Sequence, residues 1–326
     1  GMPDFDERQD DWWWRSWAFP DAVAVWQHWN GTVTQYGDWD IYYSIYTDPN
    51  MWWTLGTDYA RPIVQDSLAP GPALFLLGND TEPAISWYSS NYAICVWQHW
   101  NVNYKDWDIW YSMFTPNIGW TWPAPVWQAL GEDLDPVIAF DTNGYAVCVW
   151  RHQVAAAYWL SYSIWNPATK TWGNQGWVYA PAVPTPCLMP EVCVDSKHNI
   201  VVTWTDPTGP GGGTEKVWFS WAAFNTPIPP PPAWSPGVVV LNCPMGIDSQ
   251  KGISPDNLGN NLLVFSENTP PPFLPVYYAQ FTSPSKTWTI KTSNLTNPTT
   301  DGEGPDIAFD LNNNAIAVYT HTLPAS

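Results

Sequence analysis

Two stretches of the chain place aromatic and acidic residues at matching positions. Val25-Trp26-Gln27-His28-Trp29-Asn30 is followed by Asp38-Trp39-Asp40-Ile41, and Val96-Trp97-Gln98-His99-Trp100-Asn101 by Asp106-Trp107-Asp108-Ile109. Indole faces stack on the C–H faces of sugar rings, while carboxylates accept hydrogen bonds from hydroxyls. Trp29, Trp39, Trp100, Trp107, Asp38, Asp40, Asp106, Asp108, His28 and His99 therefore form the candidate ligand-binding set. Two such loops side by side suit an extended glycan more than a single sugar. Other readings of the same residues stand beside this one. In a chain with 27 Trp these indoles could serve only to fill the contacts between sheets. The carboxylates could hold calcium, although no EF-hand spacing is present, and no other cofactor or metal is expected. A pair of carboxylates about 5–10 Å apart could also hydrolyse a glycosidic bond.

A titratable residue also stands two positions past a recurring aromatic: His28, His99, His152, Asp206, Glu267 and His321. One metal cannot bind this set. These residues fall on second strands, about 4.8 Å outside the first, so neighbours around a ring would be about 10 Å apart, against about 2 Å to a metal. Cross-strand pairs are the expectation instead: His28 with Asp40, His99 with Asp108, Asp206 with Lys216. No Gly-x-Ser-x-Gly, phosphate-binding loop or dinucleotide fingerprint occurs, and Gly211-Gly212-Gly213 runs into Thr214-Glu215-Lys216. No catalytic residue is nominated.

The elements that must position these residues come from a repeat. The stretch from Pro136 to Trp150 reads as two apolar strands joined by the turn Asp141-Thr142-Asn143-Gly144, since Asn and Gly accept positive φ. Gapless copies begin at Trp12, Pro83, Pro190, Lys251 and Pro305. If His99 faces Asp108, then Trp97 faces Trp110. The same rule sets Trp26 against Tyr42, Trp204 against Trp218, Phe265 against Tyr277, and Trp150 against Ser161. Third strands follow, then a Pro, then a Trp opening a fourth, so a full unit is a meander of about 50 residues.

The expected fold is all-β: a single domain over 1–326, built as a six-bladed β-propeller of four-stranded antiparallel blades. The blades lie near 11–56, 82–131, 135–180, 189–242, 250–293 and 304–322. The last is incomplete, and 57–80 is an insertion that holds a further strand at 72–77. A seven-bladed ring that counts the insertion is the alternative. This architecture resembles six-bladed propellers of the sialidase-like and NHL-like type over residues 11–322. The Asp-x-x-Gly turn is similar to the sialidase Asp-box, with one residue more between Asp141 and Gly144. The resemblance implies that the repeated hairpin forms the inner strands of each blade. It also implies a sialidase-like, glycoside-cleaving activity as an alternative to a non-enzymatic binding or protein-interaction module.

Composition narrows the partners. Net charge is −19 and charged residues make up only 13%, which excludes the basic footprint that nucleic acid requires. No apolar run reaches membrane-spanning length. A glycan or a protein surface remains as the partner. Gly1-Met2 reads as a cloning remnant, so an extracellular or cell-surface location is expected if a leader was removed. Cys95 and Cys148 share one slot in consecutive repeats and read as small buried hydrophobes. Cys187 and Cys193 are the pair best spaced for a disulfide, and without a Cys-x-x-Cys no zinc site is expected.

Overall fold

A computed structural model describes residues 21–29, 39–47, 61–63, 78–88, 92–115, 119–155, 157–180, 187–206, 215–224, 232–243, 247–267, 275–282, 285–291, 295, 303–310 and 312–320. These residues form strands and turns only, and none of them forms a helix able to cross a membrane. The 72–77 strand, Asp38, His321 and all of copy one before Asp21 lie outside the described residues. So do the side chain of Glu267 and most of the Pro-rich loops.

The chain divides into two compact units, Gly1–Leu130 and Gly131–Ser326. The first holds two sheets. One is ordered β1 (Asp21–Trp29), β2 (Trp39–Thr47), β3 (Arg61–Pro62). The other runs β4 (Asp80–Tyr88), β5 (Tyr92–Asn101), β6 (Asp106–Thr115), β7 (Gly119–Trp120), with β8 (Ala124–Trp127) also on β6. The stretch 57–80 is therefore not simply inserted: Arg61–Pro62 pairs with β2, and Asp80 opens β4.

The second unit holds four sheets. The first is β9 (Asp133–Phe140), β10 (Ala146–Val154), β11 (Ala157–Asn166), β12 (Thr171–Trp172), with β13 (Gly176–Tyr179) also on β11. Next come β14 (Leu188–Val194), β15 (Asn199–Asp206), β16 (Glu215–Ala223), β17 (Val238–Cys243), and then β18 (Ile247–Pro255), β19 (Asn261–Glu267), β20 (Val276–Thr282), β21 (Thr287–Lys291). The last sheet has β22 (Glu303–Phe309) and β23 (Ala315–Thr320) alone among the described residues.

Every cross-strand pair derived from the spacing is present: Trp97 with Trp110, His99 with Asp108, Trp26 with Tyr42, His28 with Asp40, Trp150 with Ser161, Trp204 with Trp218, Asp206 with Lys216, and Phe265 with Tyr277. The turns are uniform as well. In Asp141, Asp195, Asp256 and Asp310 one Oδ1 accepts the backbone N–H groups two and four residues on. The left-handed position that closes each turn is held by Gly144, His198, Gly259 and Asn313. Where the expected fourth strand opens on its Trp it is short: β7 and β12 have two residues, and pairing resumes in β8 and β13. Ser112, Ser163 and Ser220 donate to the carbonyls of Thr121, Gly173 and Ser235, filling the interruptions.

A second repeated device was not expected. Five inner hairpins carry a bulge at the start of their first strand. Glu82, Asp135, Met189 and Gly304 take positive φ there, and each precedes a Pro. Proline has no N–H to lose, so a bulge is where a strand tolerates it. Core clusters form where neighbouring sheets of one unit meet, with Trp97, Trp150, Trp204 and Phe265 fully buried. Val25 and Ile41 join Ile85 and Trp97 in the first unit. In the second, Val149 and Leu160 join Val192 and Trp204, and Phe219 joins Phe265 and Phe281.

Candidate functional site

The bulge decides what the inward histidines touch. It brings Asp80 opposite His99 and Asp133 opposite His152. Trp97 and His99 are two apart on β5 and so share a face. Trp97 Nε1 donates to Asp80 Oδ1 at 2.7 Å, and His99 Nδ1 lies 2.8 Å from the same oxygen. Blade three repeats this: Trp150 Nε1 donates to Asp133 Oδ1 at 2.6 Å, and His152 Nδ1 lies 2.7 Å from it. All six residues are buried. His99 thus faces Asp108 in register but bonds Asp80 on its other side. Burial pushes the Asp80 carboxyl up, while His99 and the Trp97 indole hold it back in part.

In the next sheet Cys187 occupies the equivalent place beside Asp206. Burial and that carboxylate push its thiol up to about 12. Cys187 and Cys193, the candidate pair for a disulfide, are both free; Cys193 Sγ donates to Asn261 Oδ1. The missed acids carried a signal in the sequence. Asp80 and Asp133 each stand three residues before the Pro that opens a repeat, as does Cys187.

The aromatic tips of the first unit form two matching pairs. Trp29 and Trp39 face each other across β1 and β2, edge to face, with centroids 5.4 Å apart. Trp100 and Trp107 do the same across β5 and β6, also at 5.4 Å. Asn79 ties the pairs together: its Oδ1 accepts from Trp39 N at 3.3 Å, and its carbonyl accepts from Trp100 N at 2.8 Å. Gly78 makes that approach possible. Its φ is +150°, and a Cβ there would lie 2.0 Å from the Trp100 carbonyl oxygen. Gln27 Oε1 adds a second link by accepting from Glu82 N.

Trp29 is 49% exposed, and Trp39, Trp100 and Trp107 are half-buried. The carboxylates do not accompany them to the surface. Asp40, Asp106 and Asp108 are all buried, and Asp108 Oδ2 accepts from Asn101 Nδ2 at 2.8 Å. Asn101 Oδ1 in turn caps the hairpin by accepting from Asn103 N and Tyr104 N. His28 is exposed against Tyr42, whereas His99 is buried with Asp80. Among the described residues no three His, Cys, Asp or Glu gather where they could hold a metal.

A polar assembly in the second unit was not expected. Arg151 Nε pairs with Asp135 Oδ2, and its guanidinium lies 4.9 Å from the centre of the Tyr158 ring. Tyr158 donates its hydroxyl to Glu132 Oε2 at 2.8 Å; burial and that hydrogen bond push the phenol up. Nearby Lys251, in the slot that four of the other repeats fill with Pro, donates to the Met189 carbonyl and to Thr205 Oγ1. Burial lowers its ammonium to about 8, while Glu191 and Asp135 hold it up. Only the coincidence of Arg151 and Lys251 with repeat boundaries could have pointed here.

No family model matches the chain, and no curated protein matches it. Among solved structures it is similar to a Trypanosoma rangeli sialidase in complex with sialic acid, 9% identical, TM-score 0.55, over 94% of this chain and 51% of that one. It is similar to the NanB sialidase of Streptococcus pneumoniae at 9% identity and TM-score 0.53, over 92% and 63%. The Hadza microbial sialidase Hz136 matches at 11% and 0.53, over 85% and 60%. The chain therefore spans between half and two thirds of the length of these sialidases. At such identities the likeness is one of fold, and that fold is the all-β, sialidase-like propeller.

Proposed function

We propose that this protein binds an extended carbohydrate through the paired hairpin tips of its first unit. The observation that carries the reading is the duplicated indole pair, Trp29–Trp39 and Trp100–Trp107, joined through Asn79 with Trp29 half exposed. Exposed Trp29 and Tyr104 offer stacking faces on neighbouring sheets, and exposed His28 supplies a polar contact. Beneath them the buried Asp108 holds Asn101, which caps the turn between β5 and β6. Neighbours of the same fold are named as sialidases, which is consistent with a carbohydrate ligand.

One observation favours a second reading, a sialidase-like hydrolase. A tyrosine nucleophile is the sialidase exception among glycosidases, and Tyr158 is hydrogen-bonded to Glu132 beside Arg151. A single experiment separates the two: a glycan array run beside fluorogenic glycosides, with Trp29→Ala, Trp122→Ala and Tyr158→Phe. Binding without turnover, weakened about fivefold or more by Trp29→Ala and untouched at the more exposed Trp122, supports the binding reading. Turnover abolished by Tyr158→Phe supports the hydrolase. No bound glycan, or indifference to Trp29→Ala, removes the first reading.

A further inference from the structure

Asp80 is fully buried, yet it opens its strand, one residue from the contact that joins the indole pairs. It stands opposite His99. The next rung of that ladder is the bond from Trp100 N to the Asn79 carbonyl, and Asn79 Oδ1 accepts from Trp39 N. Water that reaches Asp80 from this end must part Asn79 from both tryptophans. The surroundings are acidic or neutral. Alternation puts Cys95, Trp97 and His99 of β5 on the face that packs against β1 and β2. Asp106 and Asp108 of β6 share that face, and Tyr43 meets it from β2. Glu82 stands at the bulge of β4 itself, while His28, Asp40 and Tyr42 alternate to the far side of their sheet. Among the described residues of these strands, His99 is the only basic side chain on that face.

We propose that Asp80 is a proton sensor for the carbohydrate tip: in mild acid it takes up a proton, the tie through Asn79 closes, and the tip holds sugar more firmly. The link to sugar rests on the binding reading given above. Trp97 Nε1 and His99 Nδ1 both reach Oδ1, at 2.7 Å and 2.8 Å. Oδ2 can therefore take a proton while Oδ1 keeps both bonds. A buried carboxylate gains by being hydrated, so the charge favours an opened tip and the proton favours a closed one. Burial pushes the Asp80 carboxyl up, against the partial opposition of His99 and the Trp97 indole. Burial also raises the Cys95 thiol, and the Asp80 charge adds to it. Closure is therefore favoured in acid and lost as pH rises through the raised value.

The test is backbone amide exchange by NMR on the full chain, read at Trp39 and Trp100 from mild acid to neutral pH. Each rate is divided by that of an unstructured amide at the same pH. The Trp97 indole N–H resonance is followed in the same samples as the reporter of Asp80. Expected is a several-fold gain in protection at both amides on acidification, at the midpoint of the indole titration. Asp80→Asn, neutral at every pH, should keep both amides protected throughout. Asp133→Asn, the equivalent change in the second unit, should leave the wild-type profile intact. Protection that is flat, or that falls in acid, overturns the proposal. So does a pH response that survives in Asp80→Asn, because His99 titrates as a pair with Asp80 and would then be its source. Should Asp80→Asn not fold, the wild type decides: amides and indole with different midpoints overturn the proposal. A glycan array run in mild acid and at neutral pH keeps the two readings apart. Tighter binding in acid, made independent of pH by Asp80→Asn, supports the link to sugar. An array blank at both values overturns that link together with the carbohydrate function, and the exchange rates still decide whether the proton closes the tip.

Discussion

Lys251 shows what one departure from the repeat costs. Pro83, Pro136, Pro190 and Pro305 hold this slot elsewhere, and a Pro asks nothing of its surroundings in polar terms. The lysine ammonium sits fully buried, held by a carbonyl and a hydroxyl, with Glu191 and Asp135 supplying compensating charge. Its folded value is lowered from 10.5 to about 8. Between those values the unfolded chain binds more protons than the folded one, so stability rises with pH across that window. Below about pH 8 both states are protonated and the full penalty is present. At about 1.36 kcal/mol per pH unit, the penalty is about 3 kcal/mol. Wild-type stability, measured by urea unfolding relative to Lys251→Met, should therefore climb by about 3 kcal/mol from neutral pH to above pH 10. A difference that stays flat with pH would show that the ammonium is not held as described.

At the scale of elements, the hairpin register was legible because side chains alternate with period two, so one assumed pair such as His99 with Asp108 determines all others. The turns were legible for a similar reason: a positive φ restricts the residue, and Gly144, Gly259 and Asn313 announce it. His198 does the same job with a residue that announces nothing. Glycine at 144 has φ +85°, where a Cβ is strained, so Gly144→Ala should destabilise the chain by about 1–2 kcal/mol. The same replacement at Gly173, which has no such φ, should cost less; equal effects in thermal unfolding would contradict the assignment. The site was less legible. Aromatic pairing could be read, but the side of the strand on which His99 finds its partner depends on a bulge, and a bulge adds a residue that the apolar pattern does not show. Asp80 and Asp133 therefore remained hidden although their spacing to the following Pro is constant. The acids beside Trp39 and Trp107 were misplaced as surface acceptors because sequence alternation gives a face and not a depth; Asp40, Asp106 and Asp108 turn out buried.

For the molecule as a whole, the sparse charge is the governing quantity. Lys and Arg number 11 against 30 Asp and Glu, so most carboxylates have no cation available. Several that are buried are satisfied by neutral donors instead: Asp108 by Asn101, Asp195 by backbone N–H groups and Asn199. Hydrogen bonds of this kind do not weaken with ionic strength as exposed ion pairs do. What salt does act on is the mutual repulsion of the remaining negative surface, which disfavours the compact state. Raising NaCl from about 0.05 M to about 0.5 M should therefore raise the melting temperature. A gain of about 1 kcal/mol corresponds to about 2–4 °C for a chain of this order of size. A rise reports the screening of that repulsion. A fall would mean that ion pairs such as Arg151 with Asp135 outweigh the net charge.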